Sequence, residues 1–256
     1  MRIFDLSAPV ADNAGEPVQV QVERIDHAAG AAILGRSHNA TAADFPDGYA
    51  LSTETVTLST HCGTHVDAPL HYGPVGPDGP APAIDALDLR FFYGPGLRLR
   101  FSDDVARGAV TRMEMEDALA WTGRTLAPGM IVLCDVGAAA RWGTSAYFTH
   151  FRGLSAAAVE LLLDAGVRVI GTDAFGFDPP FGAMLDDWRA TGNAAALWPA
   201  HILGRRRPYC QIERLHGLAA LPADDGFTVA CFPIRLAACG ASWTRAVAIM
   251  EDQDHA

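Results

Sequence analysis

The chain contains no lysine. All nineteen of its basic side chains are arginine. Schiff-base catalysis needs a lysine amine, and a phosphate-cradling Walker loop normally needs one too, so both chemistries are excluded. Cysteine is scarce and unpatterned. Cys62, Cys134, Cys210, Cys231 and Cys239 form no CxxC pair and no disulfide framework. Cys134 and Cys231 sit inside apolar runs, where a thiol acts as a small hydrophobe. No apolar run approaches the roughly 20 residues a membrane span requires. The opening Met1-Arg2-Ile3-Phe4-Asp5-Leu6-Ser7 lacks the apolar core of a secretion signal, so a cytoplasmic location is expected. Charged residues make up only 19% of the chain, and the balance of −11 denies it the basic face of a nucleic-acid groove.

Half of the 256 residues are apolar, which excludes disorder and allows one large domain spanning residues 1–256. Short apolar runs predict strands at Arg2–Leu6, Thr53–Thr60, Leu97–Phe101, Met130–Asp135, Val167–Thr172, Phe227–Pro233 and Arg245–Met250. Thr111-Arg112-Met113-Glu114 matches a capping box ahead of a helix through Met115–Trp121. Ser155 is placed to cap a helix over Ala156–Asp164 that Gly166 would end. Strands interspersed with few helices imply an α/β domain with a mixed β-sheet and flanking helices. Gly73–Pro80 is predicted as a loop, because its prolines and glycines deny it both ladder and helix.

The richest chemistry lies in His61-Cys62-Gly63-Thr64-His65-Val66-Asp67-Ala68-Pro69-Leu70-His71. His61, His65, Asp67 and His71 share one parity, so an extended chain would aim all four from the same face. A helix would bring His61 and His65 together but turn Asp67 away. The Thr- and Val-rich approach through Leu51–Thr60, with Gly63 and Pro69 inside the motif, favours the extended form. Imidazole and carboxylate converging on one point predict a metal site. Cys62 has the opposite parity and should point away from it.

A catalytic centre needs partners from elsewhere in the chain. His201 and Glu213 are the candidates, with His27, His38, His150 and His216 competing on spacing alone. Here the sequence resembles the metal-dependent cyclase superfamily, which includes bacterial kynurenine formamidase and isatin hydrolase. The resemblance rests on His61-x-Gly63-Thr64-His65-x-Asp67-Ala68-Pro69-x-His71, Asp5-Leu6-Ser7, Gly171-Thr172-Asp173 and the His201–Glu213 spacing. It implies the cyclase-like swivelling β/β/α fold. It further implies that His61, His65 and Asp67 bind one metal, that Asp67, His201 and Glu213 bind a second, and that His71 is the acid/base. Gly171–Asp178, Trp198-Pro199-Ala200-His201 and Tyr209–Glu213 are similar to the branch that closes rings in aromatic polyketide pathways. The formamidase's amino-terminal tryptophan has no counterpart, since the first tryptophan here is Trp121. That departure argues against N-formylkynurenine as substrate.

The inferred ligands suit one or two divalent ions per chain, zinc first and manganese second. Two reactions use the same parts. In the first expectation His71 deprotonates a poly-β-ketone, metal stabilises the enolate, and aldol-type ring closure is followed by dehydration. In the alternative an aryl formamide, isatin-like amide or lactone is hydrolysed. A metal-stabilised protein without turnover is the third reading. Tyr72, Trp198 and Tyr209, with Phe148, flank the site in sequence and are candidates for stacking on a flat aromatic substrate. Arg205-Arg206-Arg207 is the one basic cluster; it reads first as a solvated surface run, and alternatively as a site for a carboxylate or an acidic acyl carrier protein. By resemblance, a homo-oligomer is expected.

Overall fold

The computed structural model describes residues 1–12 and 14–251. The chain forms two compact units, Met1–Glu16 with Thr60–Ala256, and Pro17–Ser59. Within the larger unit the strands of the main sheet, numbered along the chain, are β1 (Arg2–Asp5), β2 (His65–Asp67), β3 (Tyr93–Arg100), β4 (Ile131–Asp135) and β5 (Val169–Thr172). They continue with β6 (Cys210–Glu213), β7 (Phe227–Ala230), β8 (Ala241–Trp243) and β9 (Val247–Met250). The spatial order is β1-β9-β7-β3-β4-β5-β6-β2-β8. Neighbours from β3 through β6 run parallel, and all other pairs are antiparallel. This is the mixed sheet with flanking helices that the sequence implies.

A parallel block needs cover on both faces, and the strand sequences supply it. Leu97, Leu99, Val132, Cys134 and Ile170 pack into one core with Met115, Val159, Leu162 and Leu203. Those four partners come from α2 (Arg112–Thr122), α3 (Ala156–Asp164) and α5 (Pro199–Arg206). Ile131, Leu133, Val169 and Ile212 fill the opposite core with Leu215, Phe227 and Val229. Cys134 therefore behaves as the small hydrophobe its run suggests. The remaining helices of this unit are α1 (Pro69–Tyr72) and α4 (Phe181–Thr191).

Both expected caps are present. Thr111 Oγ1 accepts from the Glu114 N–H while the Glu114 carboxylate accepts from the Thr111 N–H, closing the box that starts α2. Ser155 Oγ accepts from the Ala158 N–H and starts α3. The chain leaves α3 through Gly166 at φ +87°, a left-handed turn that a side chain would strain. A Cβ there would also lie 2.7 Å from the Pro128 ring.

Two expectations need correction. Gly73–Pro80 is not free of ladder: Val75–Gly76 pairs antiparallel with Gly79–Pro80 around a tight turn. The His61–His71 run is not extended throughout. It is a turn through Thr64, the strand β2, and then the helical turn α1, because Pro69 is well suited to the first position of a helix.

The smaller unit pairs Gln21–Ile25 with Thr53–Thr57. Its helix His27–Ser37 is capped by Asp26, whose Oδ1 accepts from the Ala29 N–H at 2.8 Å. A Cβ on Gly30 of that helix would meet the Leu51 carbonyl oxygen at 2.3 Å, so only glycine allows this close approach.

Glu114 also neutralises Arg152, which is fully buried and donates from Nη2 to both carboxylate oxygens at 3.1 and 2.9 Å. The Arg152 charge and the Thr111 bonds outweigh burial and hold the Glu114 carboxyl down at about 2. Its stabilising effect is complete above the ordinary glutamate range and disappears as pH falls towards 2. Glu114→Ala strands a buried guanidinium and is expected to cost about 3 kcal/mol in urea unfolding at pH 7. The variant should also show a shallower loss of stability between pH 5 and pH 2 than the parent chain.

Candidate metal centre

Strand β2 lies between β6 and β8, pairing Asp67 with Gln211 and Ala241, and His65 with Glu213 and Trp243. This register sets His65 beside Glu213 although 148 residues separate them in sequence. His65 and Asp67 project from the same side of β2, as their even spacing requires. Gly63 makes the preceding turn at φ +67°. Its carbonyl oxygen lies 2.9 Å from His65 Nδ1, so that nitrogen carries the proton and donates it. The Nε2 lone pair is thereby left facing the carboxylates.

The donor atoms converge. His61 Nδ1 is 3.1 Å from His65 Nε2 and 3.2 Å from Asp67 Oδ1. His65 Nε2 is 3.5 Å from Asp67 Oδ1 and 3.4 Å from Glu213 Oε2. Ligands at zinc–nitrogen distances in a tetrahedron stand roughly 3.4 Å apart. Asp67 is completely buried, yet neither of its carboxylate oxygens has a hydrogen-bond partner among the described residues. A buried carboxylate without donors is the mark of a site that expects a cation. Two donor groups share it: His61, Asp67 and His71, and His65, Asp67 and Glu213. The residues present therefore fit a divalent metal.

His71, on α1, reaches back to place Nε2 3.9 Å from Asp67 Oδ2. Its ring stands 4.3 Å from that of His61 and 5.4 Å from that of His201. His61 and His71 are about one-third exposed, whereas His65 is fully enclosed, so the cluster opens to solvent on the His61–His71 side. His201, on α5, has Nε2 3.9 Å from Glu213 Oε1.

Charge is distributed accordingly. Burial pushes the Asp67 carboxyl up, but His65, His61 and His71 together hold it below the ordinary carboxylate range. Burial and Asp67 both push Glu213 up, and His65 and His201 reverse them. Burial is the main cause that lowers the His71 imidazole, aided by His61 and His201 and opposed by Asp67. His71 is thus held neutral, the form that can accept a proton.

Residues that sequence reasoning did not single out hold these groups in place. Asp178 Oδ2 lies 2.5 Å from His201 Nδ1, and its carboxylate also accepts from the N–H groups of Ala200 and His201 at the start of α5. Glu213 Oε1 accepts from the Phe177 N–H at 3.0 Å. Asp178 stood in the run Gly171–Asp178, but nothing in that run revealed which histidine it would meet. Asp173 of the same run is elsewhere, accepting from the N–H groups of Val136 and Ala139, with its carboxyl pushed up to about 7 by burial.

The aromatic candidates divide. Tyr72 and Tyr209 are a buried pair 5.6 Å apart behind the cluster. The Tyr72 hydroxyl donates to the Asp67 carbonyl at 3.4 Å, and its ring is 5.4 Å from that of His201. The Tyr209 hydroxyl donates to the Ala200 carbonyl and accepts from Gln211. Trp198 is half exposed and stacks on Phe181 at 5.1 Å. Phe148 stands 5.0 Å from Phe175, beside Arg214. Neither donor group contains any of the competing histidines His27, His38, His150 and His216, and His201 also lies outside both, next to Glu213. Cys62 is buried, and burial pushes its thiol up to about 11, consistent with a structural role.

Sheet, motif and donor cluster together define a metal-dependent, cyclase-type α/β protein. The chain belongs to the family described as "Putative cyclase", whose model matches residues 4–179. Among relatives, the kynurenine formamidase of Delftia acidovorans is 28% identical over 200 residues, covering 78% of this chain and 81% of the relative. That of Maricaulis maris is 30% identical over 193 residues, covering 75% and 78%. The structure of isatin hydrolase A from Ralstonia solanacearum matches with a TM-score of 0.76 at 22% identity, over 98% of this chain and 92% of that one.

Asp178 holds the His201 ring through Nδ1 and leaves Nε2 on the side of Glu213. Asp178→Asn is expected to weaken metal affinity about 10- to 100-fold, read by competition with a chromogenic chelator, with unchanged circular dichroism.

Proposed function

We propose that this protein is a metal-dependent amide hydrolase that cleaves the C–N bond of an aryl formamide or a cyclic aryl amide. The observation that carries the reading is the buried, hydrogen-bond-free Asp67 carboxylate facing His61, His65 and Glu213, with the neutral His71 imidazole on the open side. Ring closure of a poly-β-ketone was the first expectation from sequence, and it now ranks second. The relatives are named for hydrolysis of a formamide and of isatin, and the same donor set serves that chemistry.

His61, His65 and Asp67 would hold one ion, and Asp67, His201 and Glu213 a second. The all-nitrogen-and-oxygen donor set favours zinc, with manganese as the alternative. When bound, such a cation polarises a carbonyl and lowers the pKa of water towards neutrality. The chain's own contribution is placement and proton transfer. Asp67 and Glu213 stay ionised and fix the charge of the site. Asp178 and the Gly63 carbonyl set the rings of His201 and His65. His71 Nε2 takes the proton from water as oxygen adds to the amide carbon. It then returns that proton to the departing nitrogen as the C–N bond breaks, yielding a carboxylate and an amine.

His71→Ala is expected to lower kcat by at least about 100-fold while metal content stays at the parent level. Loss of metal in that variant would make His71 a ligand and not the base. N-formylkynurenine and isatin, assayed beside a bicyclic polyketide intermediate, decide the reaction class. Rapid hydrolysis of either amide supports the proposal, and ring closure with inert amides overturns it.

A further inference from the structure

The basic run Arg205–Arg207 has no part in the cluster, but the fold gives it a second setting. Arg206 and Arg207 join Arg168 around a cavity of about 450 Å³ whose floor includes Leu87, Phe91 and Pro208. That size is within the range of small-molecule sites. Many arginines of this unit face carboxylates: Arg98 and Arg100 share Asp224, Arg152 meets Glu114, and Arg214 meets Glu16. At the cavity only Arg207 does so, pairing with Asp164 at 2.6 Å. Arg168 and Arg206 have no carboxylate within ion-pair distance among the described residues. Arg168 and Arg206 are both exposed, and the cavity they help to line is otherwise mainly apolar, with Pro69, Pro82, Leu87, Phe91 and Pro208.

We propose that this cavity binds a small, flat aromatic carboxylate, separately from the metal centre. The carboxylate would lie between the Arg168 and Arg206 guanidiniums, whose planar forks match its geometry. The ring would cover Leu87, Phe91 and Pro208, removing apolar surface from water. The cavity is distinct from the donor cluster: Cys210 on its wall opens β6 and Glu213 closes it, roughly 10 Å further along the strand. Three wall residues nevertheless belong to elements that carry site residues. Pro69 starts α1 with His71, Cys210 starts β6 with Glu213, and Arg206 ends α5 with His201.

Equilibrium dialysis of the intact protein against 2-naphthoate tests this, with 2-naphthalenemethanol as the uncharged control. The parent chain should bind the acid and hardly bind the alcohol. Arg168→Gln with Arg206→Gln should weaken binding at least about tenfold at unchanged metal content. Leu87→Trp, which fills the floor without altering charge, should also reduce it. Three outcomes overturn the proposal: no binding to the parent chain, undiminished binding to both variants, or a change in oligomer size in the arginine variant without a change in naphthoate affinity.

Discussion

A carboxylate taken fully out of water, with no donor to replace its lost hydration, costs several kcal/mol unless charge is returned to it. Asp67 is in that position, and the surrounding structure follows from the need to compensate it. Three imidazoles and Glu213 are brought to its two oxygens, and the mixed hand of the sheet brings them there. His65 comes with Asp67 on the same strand, Glu213 on the antiparallel neighbour, and His61 and His71 from the turns at either end. Two negative carboxylates side by side repel each other, so the cluster is balanced only with positive charge in its midst.

The scaffold is suited to holding that balance rigid. Parallel strands β3 to β6 are buried on both faces and fix the position of β6 to within packing tolerances. The end of β5 feeds the loop that supplies Phe177 and Asp178, and α5, which carries His201, leads into the start of β6. Two imidazoles of the cluster are tied by their second nitrogen: His65 to the Gly63 carbonyl, His201 to Asp178. His71 has no such tie among its contacts, and its partial exposure places it where a substrate can approach.

Much of this was legible in the sequence because it is local. The even spacing of His65 and Asp67 forces both to one face of a strand, and the capping signals at Thr111 and Ser155 act within a single turn. Strands β1, β3, β4, β5, β7 and β9 followed from short apolar runs, whereas β6 and β8 were not among those runs, being short and carrying polar residues such as Gln211, Glu213 and Ser242. The extended reading of His61–His71 failed where Pro69 starts a helical turn, a choice that alternating parity does not register. Arg168 and Arg206 lie 38 residues apart and nothing local links them.

The sequence by itself determined the donor types, the exclusion of lysine chemistry, the α/β class and the motif around Asp67, because each depends on composition or on neighbours a few bonds away. The tertiary structure alone decided that Glu213 lies against His65, that Asp178 holds His201, and that Tyr72 and Tyr209 are buried behind the centre. Those contacts are set by strand register and helix docking, which arise from the packing of the whole core.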